Sequence, residues 1–211
     1  MNVPPRPRLR GVFHQWALVA AIAAGTVLVV LARGPRERVA AWVYVVALAA
    51  MFGASALYHR FPWRTAAARA RARRLDHSTI FLFIAGTYTP FALLQLEGWL
   101  QLAVLLAVWG GAVLGIVLSL AWVDAPAWVT ALAYLAAGWA GVIAMPRLFT
   151  VGVATAVLLV VGGGLYTAGA VTYALQRPNP FPHTLGFHEI FHLLVVAAVA
   201  VQCVAVFFVV V

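Results

Sequence analysis

The chain has 211 residues, 65% of them hydrophobic and 9% charged, and a net charge of +9. This composition excludes a soluble globular domain, in which about a quarter of the residues are charged. The basic charge does not indicate a nucleic-acid partner, because the arginines cluster between apolar runs. The single cysteine, Cys203, excludes a disulfide framework and a thiolate metal site, so a transition-metal site must use histidines and carboxylates.

Seven apolar segments follow a proline- and arginine-rich start. Residues 1–11 are predicted to be a disordered basic tail, and residues 12–211 an all-α, polytopic bundle of seven transmembrane helices. Segments of roughly 20 residues can cross a hydrocarbon core, and the first is too long for a cleaved signal peptide. The predicted spans cover about residues 13–32, 39–61, 76–96, 100–122, 127–145, 151–175 and 186–210.

Two local patterns stand out between and within the spans. Residues 63–74 alternate alanine with arginine, which predicts either a basic helix lying on the lipid headgroups or a solvated loop. Residues 162–164, three consecutive glycines in the sixth span, predict close contact with a neighbouring helix, because glycine lets backbones approach.

Arginine counts predict the orientation of the bundle. About ten of the 14 arginines fall in the tail and in the second and sixth connections, and the other four fall on the opposite face. The positive-inside rule then places the N-terminus in the cytoplasm and the C-terminus outside. We expect a multi-pass protein of the cell membrane, either the plasma or the inner membrane.

Helix counting places all six histidines at one membrane face. His59 ends the second span, Asp76 begins the third, and His188 begins the seventh. This shared face matters because residues that are distant in sequence can then form one site. His14 and His183 fall on the same face and are expected to be ordinary interface residues.

Two histidines four residues apart, His188 and His192, open the last span. On a helix such residues share a face, so both imidazoles can bind one ion. Histidine is costly inside a bilayer unless it is paired or liganded, although interfacial histidines bonded to headgroups are an alternative. Together with His59 they form a candidate zinc site of three imidazoles and a water, the pattern of catalytic zinc. Imidazole ligands also suit manganese and iron.

Two further polar residues are candidates for chemistry beside such an ion. Asp76 could accept the proton of a metal-activated water or orient a ligand, and its alternative role is the N-cap of the third helix. Ser55 lies one turn before His59 on the same face, so its hydroxyl could reach the water or a substrate oxygen, or serve only in helix packing. His77 points about 100° away from Asp76 and is expected to be structural.

These residues lie in motifs that resemble the bacterial hemolysin III family. The motifs are Ser55-Ala56-Leu57-Tyr58-His59, Leu75-Asp76-His77-Ser78 and His188-Glu189-Ile190-Phe191-His192. That family is related to the adiponectin and progestin receptors and, more distantly, to alkaline ceramidases. The resemblance implies a seven-helix bundle with zinc near the cytoplasmic face. It matches the candidate histidines to the ligands, and Asp76 and Ser55 to residues that contact the bound water. Of a motif in the first helix only His14 is present.

Two classes of function remain open at this point. The relation to ceramidases, and an ion within reach of acyl chains, favour a zinc-dependent hydrolase of a membrane lipid amide or ester. The alternative is a non-catalytic membrane protein, receptor-like or cytolytic, in which structural zinc ties the second helix to the seventh.

The motif around Glu189 also fits a different enzyme class. His188 to His192 satisfies the H-E-x-x-H pattern of metalloproteases, in which Glu189 would be the general base. No acidic residue follows Glu189 to supply a third ligand, which argues against a protease. The uniformly apolar spans argue against a wide aqueous pore.

Overall fold

Eight α-helices and one 3-10 turn make up the computed structural model, which describes residues 7–211. The helices are α1 (Val12–Leu31), α2 (Pro35–Arg60), α3 (Ala66–Gln95), α4 (Gly98–Ala121), α5 (Ala127–Trp139), α6 (Met145–Val151), α7 (Val153–Leu175) and α8 (Phe187–Val210). The 3-10 turn Ala140–Ala144 joins α5 to α6, and together they form one span, Ala127–Thr150. Across the described range, seven spans are long and apolar enough to cross a membrane, which confirms the predicted all-α class.

Helix α3 begins at Ala66 rather than at the predicted residue 76. Thr65 caps it, because its side chain accepts a hydrogen bond from the Ala68 backbone N–H at 3.1 Å. Alanine and arginine are strong helix formers, so the basic stretch continues directly into the apolar one. Most of this stretch forms the first turns of α3, which confirms the alternative of a basic helix and contradicts that of a loop, whereas its position on the lipid headgroups stays a prediction.

Helix α3 occupies the centre of the bundle, where it contacts α2, α4, α5 and α8. The predicted close approach of α7 to its neighbours is confirmed at two of the three consecutive glycines. A Cβ at Gly162 would lie 2.6 Å from Cγ of Gln202 on α8, and one at Gly163 would lie 3.4 Å from the ring of Trp139 on α5. Gly164 has no such neighbour.

The distribution of polar residues is the reverse of that in a soluble protein. Large apolar side chains such as Trp16, Val30 and Leu114 are exposed on the outer surface. The buried polar and charged residues are His14, Ser55, Asp76, Ser78, Thr79, Thr87, Thr89, Ser119, Glu189, His192 and Gln202. A bilayer favours this arrangement, because polar groups inside it need protein partners or a cavity.

The part of the predicted tail that the structure describes is docked on the connection between α7 and α8. The backbone N–H of Arg8 donates to the carbonyl of His183 at 3.0 Å, and that of Leu9 donates to Thr184 at 3.3 Å. Residues 1–6 of the predicted tail lie outside the described residues. The docked segment places the start of α1 beside the start of α8, where the candidate site lies.

Candidate metal centre

Three imidazoles from two sequence-distant helices meet at one end of the bundle. His59 lies in the last turn of α2, and His188 and His192 lie in the first two turns of α8. The Nε2 atoms of His59 and His188 are 3.2 Å apart, and one ligand atom from each of the three residues lies within 4.8 Å of the others. The structure thus brings together all three predicted ligands.

The donor set could hold a divalent ion. Tetrahedral zinc–nitrogen bonds of about 2.0–2.1 Å would place neighbouring nitrogens about 3.3 Å apart. The His59 and His188 nitrogens have this separation, and all three ligand atoms lie within 4.8 Å of one another. Nδ1 of His192 is buried and has no hydrogen-bond partner within the described part of the chain. A buried, unpartnered nitrogen beside two facing imidazoles is a group that could hold a metal ion.

Asp76 supplies the carboxylate of the centre. Its Oδ2 lies 3.5 Å from Nε2 of His59, and both side chains are largely buried. Asp76 is in the interior of α3, and Thr65 caps that helix, so the alternative role of Asp76 as an N-cap is wrong. A buried carboxylate needs a cation or hydrogen bonds to offset its lost hydration, and its nearest described partner is His59.

His14 is the residue that sequence reasoning misplaced. It is only 3% exposed, and its ring stacks on that of His192 with centroids 3.8 Å apart and planes 3° from parallel. Its Nδ1 lies 2.8 Å from Oγ of Ser55, a hydrogen-bond distance. His14 therefore belongs to the centre rather than to the interface, whereas His183 is exposed on the connection before α8. The shared membrane face of the histidines was the signal that could have found it.

The carboxylate of Glu189 contacts Arg10 and Gly186 rather than the histidines. Its Oε1 pairs with Nε of Arg10 at 2.5 Å, and its Oε2 accepts the backbone N–H of Gly186 at 2.8 Å. The carboxylate is buried, so it caps α8 and ties the segment before α1 to that helix. This double engagement leaves the H-E-x-x-H pattern without the general base that a metalloprotease requires.

A largely apolar cavity begins at the histidines and continues into the bundle. Its volume is about 1350 Å³ when the part open to the surroundings is included. Along α8 its lining runs from His188 past Val195 to Gln202, and Phe83 and Leu159 are among the apolar residues on other helices. A mostly apolar lining with a few convergent polar groups is the usual character of a ligand-binding cavity.

Helix α5 forms the outer wall of the cavity. The hydroxyl of Tyr88 donates to a backbone carbonyl of α5, and that of Tyr134 donates to the carbonyl of His77 at 3.3 Å. On the other side, Nε1 of Trp139 donates to Oγ1 of Thr167 on α7 at 3.2 Å. Trp139 lines the cavity and is itself partly exposed. His77 lines the cavity as well.

The fold and the site together define a class, the multi-pass helical membrane proteins in which histidines of the second and last spans converge beside a buried aspartate. The chain belongs to the family described as haemolysin-III related, which matches residues 3–203. This match confirms the resemblance carried by the three motifs.

Individual relatives cover the chain to different extents. The chain is 38% identical over 112 residues to the hemolysin-3 homolog of Bacillus subtilis (strain 168), covering 53% of this chain and 52% of that one. It is 36% identical over 136 residues to hemolysin-3 of Bacillus cereus, covering 64% and 59%. The chain therefore spans little more than half the length of these bacterial relatives. The monocyte to macrophage differentiation factor of Homo sapiens is 27% identical over 193 residues, covering 90% and 78%.

Proposed function

We propose that the protein is a zinc-dependent hydrolase that cleaves an amide or ester bond of a membrane lipid. One observation carries this proposal: the three imidazoles and Asp76 stand at the end of a largely apolar cavity inside a membrane protein. A polar, titratable centre at the end of an apolar cavity is the usual arrangement of an enzyme that acts on an apolar substrate.

The proposed ligands are His59, His188 and His192, with a water completing the tetrahedron. When bound there, zinc supplies a Lewis acid that polarises a carbonyl oxygen and lowers the pKa of water. Three protein ligands and one open position are typical of catalytic rather than structural zinc.

The chain's own residues supply the proton transfers. The carboxylate of Asp76 takes a proton from the attacking water as the water oxygen bonds to the carbonyl carbon. It then returns that proton to the leaving nitrogen or oxygen as the C–N or C–O bond breaks, which yields a fatty acid and an amine or alcohol. Ser55 donates a hydrogen bond to the substrate oxygen, and His14 fixes the position of that hydroxyl.

The substrate enters from the membrane with its acyl chain in the cavity. The arginine distribution supports a cytoplasmic N-terminus, so we place the centre near the inner leaflet of the cell membrane. A lipid of that leaflet can keep its headgroup at the histidines while its acyl chain stays in apolar surroundings, lined by residues such as Phe83 and Val195.

Metal content and released fatty acid, measured in the same samples, test this proposal. Wild type should hold one zinc and release fatty acid from vesicles that contain a ceramide and a phosphatidylcholine. Asp76→Asn should keep the zinc and lose about 10²–10⁴-fold in rate. The double variant His188→Ala, His192→Ala should lose both, and His183→Ala, on the exposed connection, should lose neither. Metal-free wild type, or full turnover by Asp76→Asn, would overturn the proposal.

One observation favours a non-catalytic alternative. Helices α2 and α8 make few contacts with each other apart from the histidines, so an ion there would tie the two helices together. In that case chelation should lower the melting temperature, Asp76→Asn should have no lipid turnover to abolish, and no fatty acid should appear with wild type. Such a protein would be receptor-like or cytolytic.

A further inference from the structure

Two polar side chains outside the histidine centre line the cavity. Gln202 on α8 is only 8% exposed, and its Oε1 has no hydrogen-bond partner in the described residues. Its side chain lies across α7 at Gly162, where any Cβ would collide with it. The glycine therefore makes room for the amide at the edge of the cavity.

Tyr166 presents a second unpartnered group beside the first. It lies one turn beyond Gly162 on α7, and its hydroxyl is buried without a partner among residues 7–211. Helices α7 and α8 run antiparallel, since Gly162 meets Gln202 whereas Gly169 meets Phe191. Tyr166 therefore lies between the level of the amide and the histidine end.

These groups need a hydrogen-bonding occupant. An amide and a phenol inside a bilayer are unfavourable when unpaired, because no bulk water reaches them. A plain hydrocarbon chain in the cavity would leave both unpaired. An amide and a phenol can each donate to and accept from a hydroxyl group, so a hydroxyl on the occupant can satisfy either of them. Neither residue is part of the histidine centre, and the hydrolytic mechanism uses neither.

The helix sets the distance between the two ends. Gln202 follows His192 by ten residues, which is about 15 Å along α8. An extended hydrocarbon chain advances about 1.25 Å per carbon, given single bonds of about 1.5 Å at tetrahedral angles. A chain whose carbonyl carbon lies at the histidines therefore reaches the amide after about 12 carbons.

We propose that Gln202 and Tyr166 form a second, polar subsite that binds a hydroxyl group near the middle of the lipid's acyl chain. The inference rests on the proposed function, because it takes the carbonyl of that chain to lie at the histidine centre. It assigns the substrate class as lipids with an oxygenated acyl chain, such as 12-hydroxyacyl amides or esters.

Binding of free fatty acids tests the subsite without relying on catalysis. Stearate, 2-hydroxystearate and 12-hydroxystearate displace a fluorescent fatty acid from the purified full chain in detergent. The expected result is that 12-hydroxystearate binds about tenfold more tightly than the other two, as one buried hydrogen bond provides. The 2-hydroxy isomer controls for polarity and solubility.

Two variants test whether Gln202 and Tyr166 cause the preference for 12-hydroxystearate. Gln202→Met keeps the side-chain volume and removes the amide, and Tyr166→Phe removes only the hydroxyl. Each should bring 12-hydroxystearate close to stearate while the affinity for stearate itself stays unchanged, which also shows that the variant is folded. Val204→Ala, on the outer surface of α8, should keep the full preference.

The outcomes separate this inference from the proposed function. Equal binding of all three fatty acids by wild type overturns the polar subsite and leaves the lipid hydrolase standing. A preference that survives in both Gln202→Met and Tyr166→Phe overturns the assignment to these residues. No binding of any fatty acid by wild type overturns the subsite together with the lipid-filled cavity.

Discussion

The polar groups at the two ends of the cavity differ in whether they have partners within the protein. At the histidine end, side chains hold one another: His14 contacts Ser55 and His192, and His59 contacts His188 and Asp76. At the other end, Oε1 of Gln202 and the hydroxyl of Tyr166 have no hydrogen-bond partner in the described structure. The histidine end could hold a small ion, whereas the proposed subsite at the other end is completed by an occupant with a polar group of its own.

The largest expected effect comes from removing the ligand that α2 contributes. His59→Ala deletes one of three imidazoles and should lower zinc affinity by more than about 100-fold, beyond the 10–100-fold typical of outer-shell changes. Competition with a chromophoric chelator measures the zinc affinity. The cavity's far end should be unaffected, so fatty-acid binding to metal-free protein serves as the internal control. Unchanged zinc affinity would show that the three imidazoles do not share an ion.

The second effect concerns the buried carboxylate that lies outside the centre. Arg10→Ala leaves Glu189 buried without its cation and should destabilise the fold by about 3 kcal/mol, as for other broken buried pairs. Thermal unfolding in detergent measures the loss.

The chain offers a matched control for this change. Arg73 pairs with Asp124 at 2.7 Å on the surface, where Asp124 is well exposed. Arg73→Ala should cost under about 1 kcal/mol. Equal costs for the two arginine variants would contradict the role of Glu189 as a buried structural charge and would return it to the list of candidate bases.

A third, smaller effect separates positioning from metal binding at the histidine end. His14→Phe keeps a ring to stack on His192 and removes the nitrogen beside Ser55. We expect kcat to fall about tenfold with zinc content unchanged, since one hydrogen bond is lost. The kcat of Ser55→Ala should fall by a similar factor.

The double variant His14→Phe, Ser55→Ala decides whether the two residues act as a unit. Its kcat should fall no further than that of either single variant, because the effects of substitutions within one hydrogen-bonded pair are not additive. Additive losses would instead place His14 and Ser55 in independent roles.

The smallest effect probes the packing at the far end. Gly162→Ala puts a methyl group within 2.6 Å of the Gln202 side chain, so the amide must move. We expect a loss of about 1–2 kcal/mol in stability, the usual result of overpacking, together with a weaker preference for 12-hydroxystearate. Gly164→Ala, where no atom lies within contact distance, is the matched control and should change neither quantity.

The features that the sequence predicts follow from the lengths of its apolar runs and from the spacing of residues along a helix. Seven spans follow from apolar runs near the thickness of a bilayer, and the pairing of His188 with His192 follows from their spacing of four residues. The start of α3 is also predictable, because alanine and arginine favour helix, but the change from charged to apolar residues points to a boundary further along the chain.

The remaining features depend on which face of each helix points inward. These helices are apolar on nearly every side, so periodicity does not separate the lipid-facing side from the core-facing side. The burial of His14 and of Gln202 is therefore a result of tertiary packing. The partner of Glu189 comes from residue 10, in a segment whose composition alone predicts disorder, so their pairing is visible only in the fold.

The length of α3 has a consequence for how the protein sits in its membrane. Thirty residues extend about 45 Å, which exceeds the hydrocarbon thickness by about 15 Å, and the excess lies at the arginine-bearing end. We expect arginines of this end, such as Arg69 and Arg71, to reach the phosphate layer and to hold the helix at a constant depth relative to it. Asp76 follows in the next turns, so we expect its distance from the lipid phosphates to stay the same in thick and thin bilayers, with mismatch absorbed at the opposite leaflet.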